Sequence, residues 1–356
     1  MPDVRAFPVQ TWNRTVARVS RSLGAHALDY CDPQGYRPLR EEIARYLAAH
    51  RGVRCGADNV IVLTSSQQGL ALISSLMLDT GDAIAVEDPG YPGVKSALRM
   101  AGATLVPIPV DGSGIKVELL ERRQGKIRGV YVTPSHQYPT GVTLSLERRL
   151  RLIEWARRHG AWIVEDDYDS EYRYEGAPIS CIQGLDDSGC VLYVGTFTKT
   201  LFPALRLAYL VVPTHLVRSF VAARTLLDGH SSLLPQVAVA EFMSDGHFTA
   251  HIRRMRHLYK GRRDSFLKAF DRYLGHYADH EPQNGGFHIA CYLETQRQEA
   301  QSIEVAASVG IELPPLGALY LTRPARPGWV LGYVALTPAE AESSLRKLAR
   351  ALAQKT

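Results

Sequence analysis

Seven short, β-branched runs of almost unbroken apolar residues recur along the first two-thirds of the chain, at 61–64, 83–86, 104–110, 129–133, 162–165, 191–195 and 207–212. A strand that is apolar on both faces must be covered on both faces, and few architectures allow that. The stretches 67–78, 91–101 and 146–159 lie between them and carry apolar residues at helical spacing. This strand–helix–strand alternation predicts an α/β fold: a mostly parallel, seven-stranded sheet flanked by helices. From about residue 235 the pattern changes to long helices, Pro/Gly-rich loops, a strand at VLGYVAL and a last helix. Thr337 is a suitable cap for that helix and Pro338 a suitable first residue. A smaller α+β domain follows from this.

Sheets of this kind gather function beyond the carboxyl ends of their strands. The unusual residues fall there: TSSQQG from Thr64, EDPGY from Glu87, TPSHQYPTG from Thr133, EDDYDSEY from Glu165 and GTFTK from Gly195. One site assembled from many loops is the economical reading. Only 8 of the 41 basic Lys and Arg residues are lysines, so Lys199, directly after a buried run, stands out. A partly desolvated lysine amine has a lowered pKa and attacks carbonyls to form a Schiff base. Thr196, Thr198 and Arg206 surround it in sequence. Amine, hydroxyls and guanidinium together suit a phosphorylated aldehyde, pyridoxal 5′-phosphate (PLP); the plain alternative is a lysine at a strand end.

The other loops carry parallel readings. The turn at Ser66 opens a helix, where free amide N–H groups and the helix dipole favour a phosphate; it is equally an ordinary N-cap. Asp166 and Asp167 end an apolar strand, where a carboxylate needs a partner. A protonated pyridine nitrogen is such a partner and becomes a better electron sink for it. Tyr168 is placed to offer its phenol to the ring oxygen, and Tyr91 to stack on the ring face.

Taken in order, DYCDPQGYRPLR, TSSQQGL, EDPGYPG, TPSHQYPTG, EDDYDSEY and GTFTKTLFPALRLAYLV resemble the fold-type I PLP-dependent aminotransferases. More closely, they resemble the aminotransferase-like, effector-binding domain of the MocR (GabR-type) branch of the GntR regulators, over essentially the whole chain. The resemblance implies Lys199 as the Schiff-base lysine, Asp166 on the pyridine nitrogen, Tyr168 on the ring hydroxyl and Tyr91 stacked on the ring. It implies Ser66, Gln67, Thr196, Thr198 and Arg206 around the phosphate, and a homodimer in which Tyr30 reaches the phosphate of the neighbouring subunit. It also implies a small amino compound as effector or substrate. DNA would be contacted only through a winged helix-turn-helix, and this chain starts directly in the aminotransferase-like part.

Two positions depart from the aminotransferase pattern. The Asn usual before Pro-Thr-Gly is replaced by Tyr138, preceded by His136 and Gln137. Val330 stands where working aminotransferases place an arginine for the substrate α-carboxylate; Arg323 and Arg326 lie nearby in a Pro-rich loop. The expected function is an effector-sensing and dimerisation domain of a MocR-type transcription regulator that holds PLP through Lys199. The alternatives are a stand-alone aminotransferase and a sensor of PLP itself.

The expected division is an N-terminal segment (1–45), a large PLP-binding domain (46–250) and a small C-terminal domain (251–356). A net charge of +5 without a dense basic run argues against a nucleic-acid stripe in this chain. The 12 histidines form no spaced metal motif, so no metal site is expected. His251 and His257, with the arginines between them, read as the solvated face of a long helix. Five cysteines without a CxxC pair, no leader-like start and no membrane-length apolar segment predict a cytoplasmic protein.

Overall fold

The computed structural model describes residues 1–176, 180–281 and 284–354. Its larger sheet contains β1 (Val60–Leu63), β2 (Ala83–Asp88), β3 (Thr104–Asp111), β4 (Gly114–Ile115), β5 (Ile127–Val132), β6 (Trp162–Asp167), β7 (Val191–Thr196) and β8 (Ala208–Val211). Their spatial order is β1-β8-β7-β6-β5-β2-β3-β4. All seven expected strands are present; the eighth, β4, is a two-residue return from β3. Strands β3, β2, β5, β6 and β7 run parallel. Every residue of β1, β7 and β8 is buried, which is why these strands read as continuous apolar runs.

Strand direction positions the site. β8 lies antiparallel between β7 and β1, so β1 again points the same way as the parallel set. The carboxyl ends of β1, β2, β5, β6 and β7 therefore share one edge. The amino end of β8 reaches that same edge, because β8 alone among the long strands is reversed. Helix Ser66–Met77 starts there, with the Ser65 hydroxyl accepting from the Gln68 amide at 3.1 Å.

A second, three-stranded antiparallel sheet is formed by β9 (Asp279–His280), β10 (His288–Tyr292) and β11 (Gly328–Gly332), in the order β11-β10-β9. Helices His247–Leu274, Gln296–Ser308 and Pro338–Ala353 pack with it. The last begins with the expected cap, in which Thr337 and Glu340 satisfy each other's amides. One apolar cluster joins Leu39 of the N-terminal region, Tyr193 of β7, Phe242, Phe270 and Trp329 of β11. The N-terminus is bound into it: Asp3 pairs with Arg262 at 2.8 Å. The expected boundaries near 45 and 250 both fall within helices, Arg37–Arg51 and His247–Leu274.

The solvated-face expectation for the arginine-rich helix holds at His257, which is exposed, and fails at His251. His251 is buried with its ring edge-on to Phe7 at 5.3 Å, and burial pulls its pKa down to about 4. The helical period explains this. His251, Met255, Tyr259, Arg262 and Phe266 recur on one face, and that face meets the core.

Arg51, the last residue of helix Arg37–Arg51, ties this helix to the sheet through Asp167 at the end of β6 (Nε–Oδ2 2.7 Å), with both groups buried. Asp167 also accepts from Tyr193 (2.5 Å) and Ser170 (2.8 Å). Removing one member of a buried pair leaves the other charge uncompensated. Arg51→Met is therefore expected to lower the unfolding free energy by about 3–5 kcal/mol. Arg54→Ala, which removes an exposed pair with Asp187, should change it by less than about 1 kcal/mol. Urea denaturation of the two variants checks the contrast.

Candidate functional site

A cavity of about 420 Å³ opens at the shared edge of the large sheet. Of the expected site residues, all but Tyr30 line it. Ser66 and Gln67 come from the start of the helix after β1, and Tyr91 from the loop after β2. Asp166 lies at the end of β6 and Tyr168 just past it; Thr196 ends β7, Thr198 and Lys199 follow it, and Arg206 precedes β8. Tyr30 lies outside, 90% exposed, with its ring edge-on to His230 at 5.7 Å.

The two aspartates that end β6 separate because successive strand residues face opposite sides of a sheet. Asp167 turns to Arg51. Asp166 turns to the cavity, where its Oδ2 accepts from Tyr131 at 2.7 Å and its buried Oδ1 has no partner among the described residues. Burial pushes the Asp166 carboxyl up to about 7, against the opposing effect of the Tyr131 hydrogen bond. Asp167 moves the other way: Arg51 and the hydroxyls outweigh burial and hold it below the usual range. Residue type alone left either aspartate open and the resemblance implied Asp166; it is Asp166 that faces the cavity.

Burial lowers the pKa of Lys199, partly offset by Asp169 and Asp166. Its Nζ sits 3.6 Å from Met1 Sδ. In the helix after β1, Ser65 rather than Ser66 is the cap, and both line the cavity. Thr196 caps the short helix Phe197–Thr200, accepting from the Thr198 amide at 3.1 Å. Arg206 holds φ 53° and ψ 51°, the one non-glycine residue at positive φ among those described. Such a conformation costs about 1 kcal/mol or more, and it occurs at a residue of the cavity wall. The wall thus collects hydroxyls, a guanidinium, a carboxylate and an amine.

The departures from the aminotransferase pattern also have places. Gln137 turns inward, donating to Pro89 O at 2.9 Å and Glu87 Oε2 at 3.2 Å. Tyr138 lines the cavity, edge-on to Tyr91 at 5.8 Å. Val330 lines it from β11, opposite Ala290 in register. Neither Arg323 nor Arg326 lines it: Arg323 is exposed, and Arg326 lies over the Tyr292 ring and pairs with Glu281. Sequence reasoning missed Tyr131, Thr133, Phe287, His288 and Gly332 in the wall. Tyr131 belongs to an apolar strand run, where nothing local separates a core tyrosine from a carboxylate's partner.

The class I and II aminotransferase family model matches residues 5–352. The chain belongs to the class I and II aminotransferase family. It is 38% identical to the probable rhizopine catabolism regulatory protein MocR of Rhizobium meliloti, an alignment that spans 98% of this chain and 70% of that one. It is 29% identical to aromatic-amino-acid aminotransferase 1 of Thermococcus litoralis, over 99% and 86% of the two chains. The kynurenine aminotransferase of Pyrococcus horikoshii superposes with a TM-score of 0.93 at 29% identity, covering 100% of this chain and 89% of that one. Relatives of this aminotransferase-family chain thus include both regulators and enzymes. No helix of the described residues is long and apolar enough to cross a membrane, and all five cysteines are free.

The family's cofactor is PLP, and the residues fit it. The buried, unpartnered Asp166 Oδ1 is an acceptor waiting for a donor inside the cavity. A folded-state pKa raised above the unfolded value gives stability at low pH that is lost as pH rises from about 4 towards about 7. In cofactor-free protein, Asp166→Asn should therefore gain stability relative to wild type across that window, by roughly 4 kcal/mol at most. Denaturation midpoints at about pH 4 and about pH 8 check the sign; a difference independent of pH would mean the carboxylate is already compensated.

Proposed function

We propose that this chain is the PLP-binding, effector-sensing and dimerisation domain of a MocR-type transcription regulator of the cytoplasm. The observation that carries the reading is one cavity lined by Asp166, Lys199 and Arg206 together, with Val330 in its wall. The 38% identity to a regulatory protein supports the same choice.

On this reading Lys199 holds the cofactor covalently. Asp166 Oδ1 accepts from the pyridine nitrogen, and Tyr168 donates to the ring oxygen. Tyr91 covers the ring. Ser66, Gln67, Thr196, Thr198 and Arg206 hold the phosphate, with Tyr30 contributed across a homodimer. Bound PLP supplies an aldehyde that captures primary amines and a ring that withdraws electrons from them. Burial lowers the pKa of Lys199, which favours the neutral, nucleophilic amine that would hold the cofactor and could give way to a ligand amine. Ligand capture needs only that exchange. Sustained transamination also needs a grip on the substrate carboxylate, and Val330 supplies none. DNA contacts belong to a winged helix-turn-helix outside these 356 residues.

An aminotransferase is the second reading, because the residues that handle the proton and the ring are all in the cavity. A visible-absorption titration with a panel of amines and amino acids separates the two. The sensor reading expects a shifted band and no accumulation of pyridoxamine 5′-phosphate. Its accumulation, reversed by a 2-oxo acid, would establish the enzyme instead. In either case Lys199→Ala should lose all borohydride-trapped PLP, and covalent cofactor retained in that variant would refute the assignment.

A further inference from the structure

His136 and Asp169 are buried beside the cavity, and neither has a part in the reading above. The turn after β5 carries His136 back against Tyr168, which follows β6. The His136 side chain is 6% exposed and that of Asp169 1%, with Nδ1 and Oδ2 3.0 Å apart. That contact is out of line for a hydrogen bond, and both Asp169 oxygens lack a hydrogen-bond partner among the described residues. A buried carboxylate of this kind needs a positive neighbour. Arg51 and Arg173 line a small cavity of about 20 Å³ with Asp169, but Arg51 is committed to Asp167. His136 is the close candidate.

The same Nδ1 lies 3.0 Å from Tyr168 Oη, while the Tyr168 hydroxyl donates to the His136 carbonyl at 3.0 Å. Space for the imidazole is made by Gly286, at φ +81°, where a Cβ would stand 2.1 Å from His136 Cε1. Burial and the negative charges of Asp169, Asp166 and Glu87, with Tyr138 alongside, all hold the Tyr168 phenol against ionising. His288 faces the His136 ring at 5.3 Å, and burial keeps it neutral. Lys199 also faces Asp169 and Asp166, but on the reading above its amine is taken up by the cofactor, which leaves a protonated His136 to oppose those charges. A phenol oxygen that accepts from an imidazolium is a stronger donor through its own single proton, which the hydroxyl would turn from the His136 carbonyl to the ring oxygen when the cavity is filled.

We propose that His136, held as an imidazolium by Asp169, is a positioning residue that makes Tyr168 a strong, directed hydrogen-bond donor to the ring oxygen of bound PLP. The turn that carries His136 is the one in which Tyr138 replaces the usual asparagine and Gln137 is drawn away to Glu87. This rests on the reading in which the cavity holds PLP on Lys199.

The test is a pH titration of the visible band of PLP-loaded protein across the imidazole and phenol ranges. A hydrogen bond donated to the ring oxygen lowers that oxygen's basicity, so losing the donor raises the midpoint. Tyr168→Phe should raise it. His136→Gln and Asp169→Asn should raise it in the same direction by about one pH unit, tenfold in proton affinity. In a Tyr168→Phe background neither should add a further shift. A midpoint unmoved by His136→Gln, while Tyr168→Phe moves it, overturns the proposal and leaves the PLP reading intact; an unmoved midpoint in Tyr168→Phe overturns it as well. If Asp169→Asn does not fold, His136→Gln decides alone. A wild-type protein without a borohydride-trappable band refutes the PLP reading itself, and the proposal with it.

Discussion

The structure turns on two adjacent carboxylates that end one buried strand. Alternation along β6 sends Asp167 to one face and Asp166 to the other, and the two meet opposite electrostatic fates. Asp167 is neutralised by Arg51 and two hydroxyls, which anchors helix Arg37–Arg51 to the sheet. Asp166 is given a single hydroxyl, from Tyr131, and is otherwise left open to the cavity. One carboxylate is spent on the fold, and the other keeps an open acceptor at the cavity. Compensating both would leave no such acceptor there.

The cavity depends next on strand direction. Five strands deliver their carboxyl-terminal loops to one edge, as parallel sheets do. The guanidinium of Arg206 arrives by another route, because β8 is reversed between β7 and β1 and its leading turn reaches the same edge. The far wall comes from the smaller sheet, through Phe287, His288 and Val330. That wall is tied to the loop bearing Tyr91: buried Asp88 accepts from the Leu321 amide (2.6 Å) and the Thr322 hydroxyl (2.5 Å), and Gly90 donates to Leu319 O (3.2 Å).

Much of this was legible before any coordinates. Lys199 stood out because lysine is scarce here and follows a buried run, and Asp166 because charge at the end of such a run needs a partner. The plain alternatives did not all fail: Ser65 is an ordinary N-cap as well as a cavity residue. The solvated reading of His251 failed because a helix of alternating charge and apolar residues does not announce which face the core will take. Tyr30 remains outside the cavity of its own chain, where no single-chain argument gives it a role.

The sequence by itself determined the α/β class, the run of strands and the loops that carry chemistry, because burial on both faces and the residue types at strand ends are local properties. Tertiary structure alone decided which aspartate faces the cavity and which is neutralised. It also decided that Gln137 is structural while His136 meets Tyr168, and that Val330, not Arg326, forms the far wall. Those outcomes depend on which groups from distant segments share one low-dielectric space. Pairing energies there are set by distances of about 3 Å, and separation along the chain does not encode them.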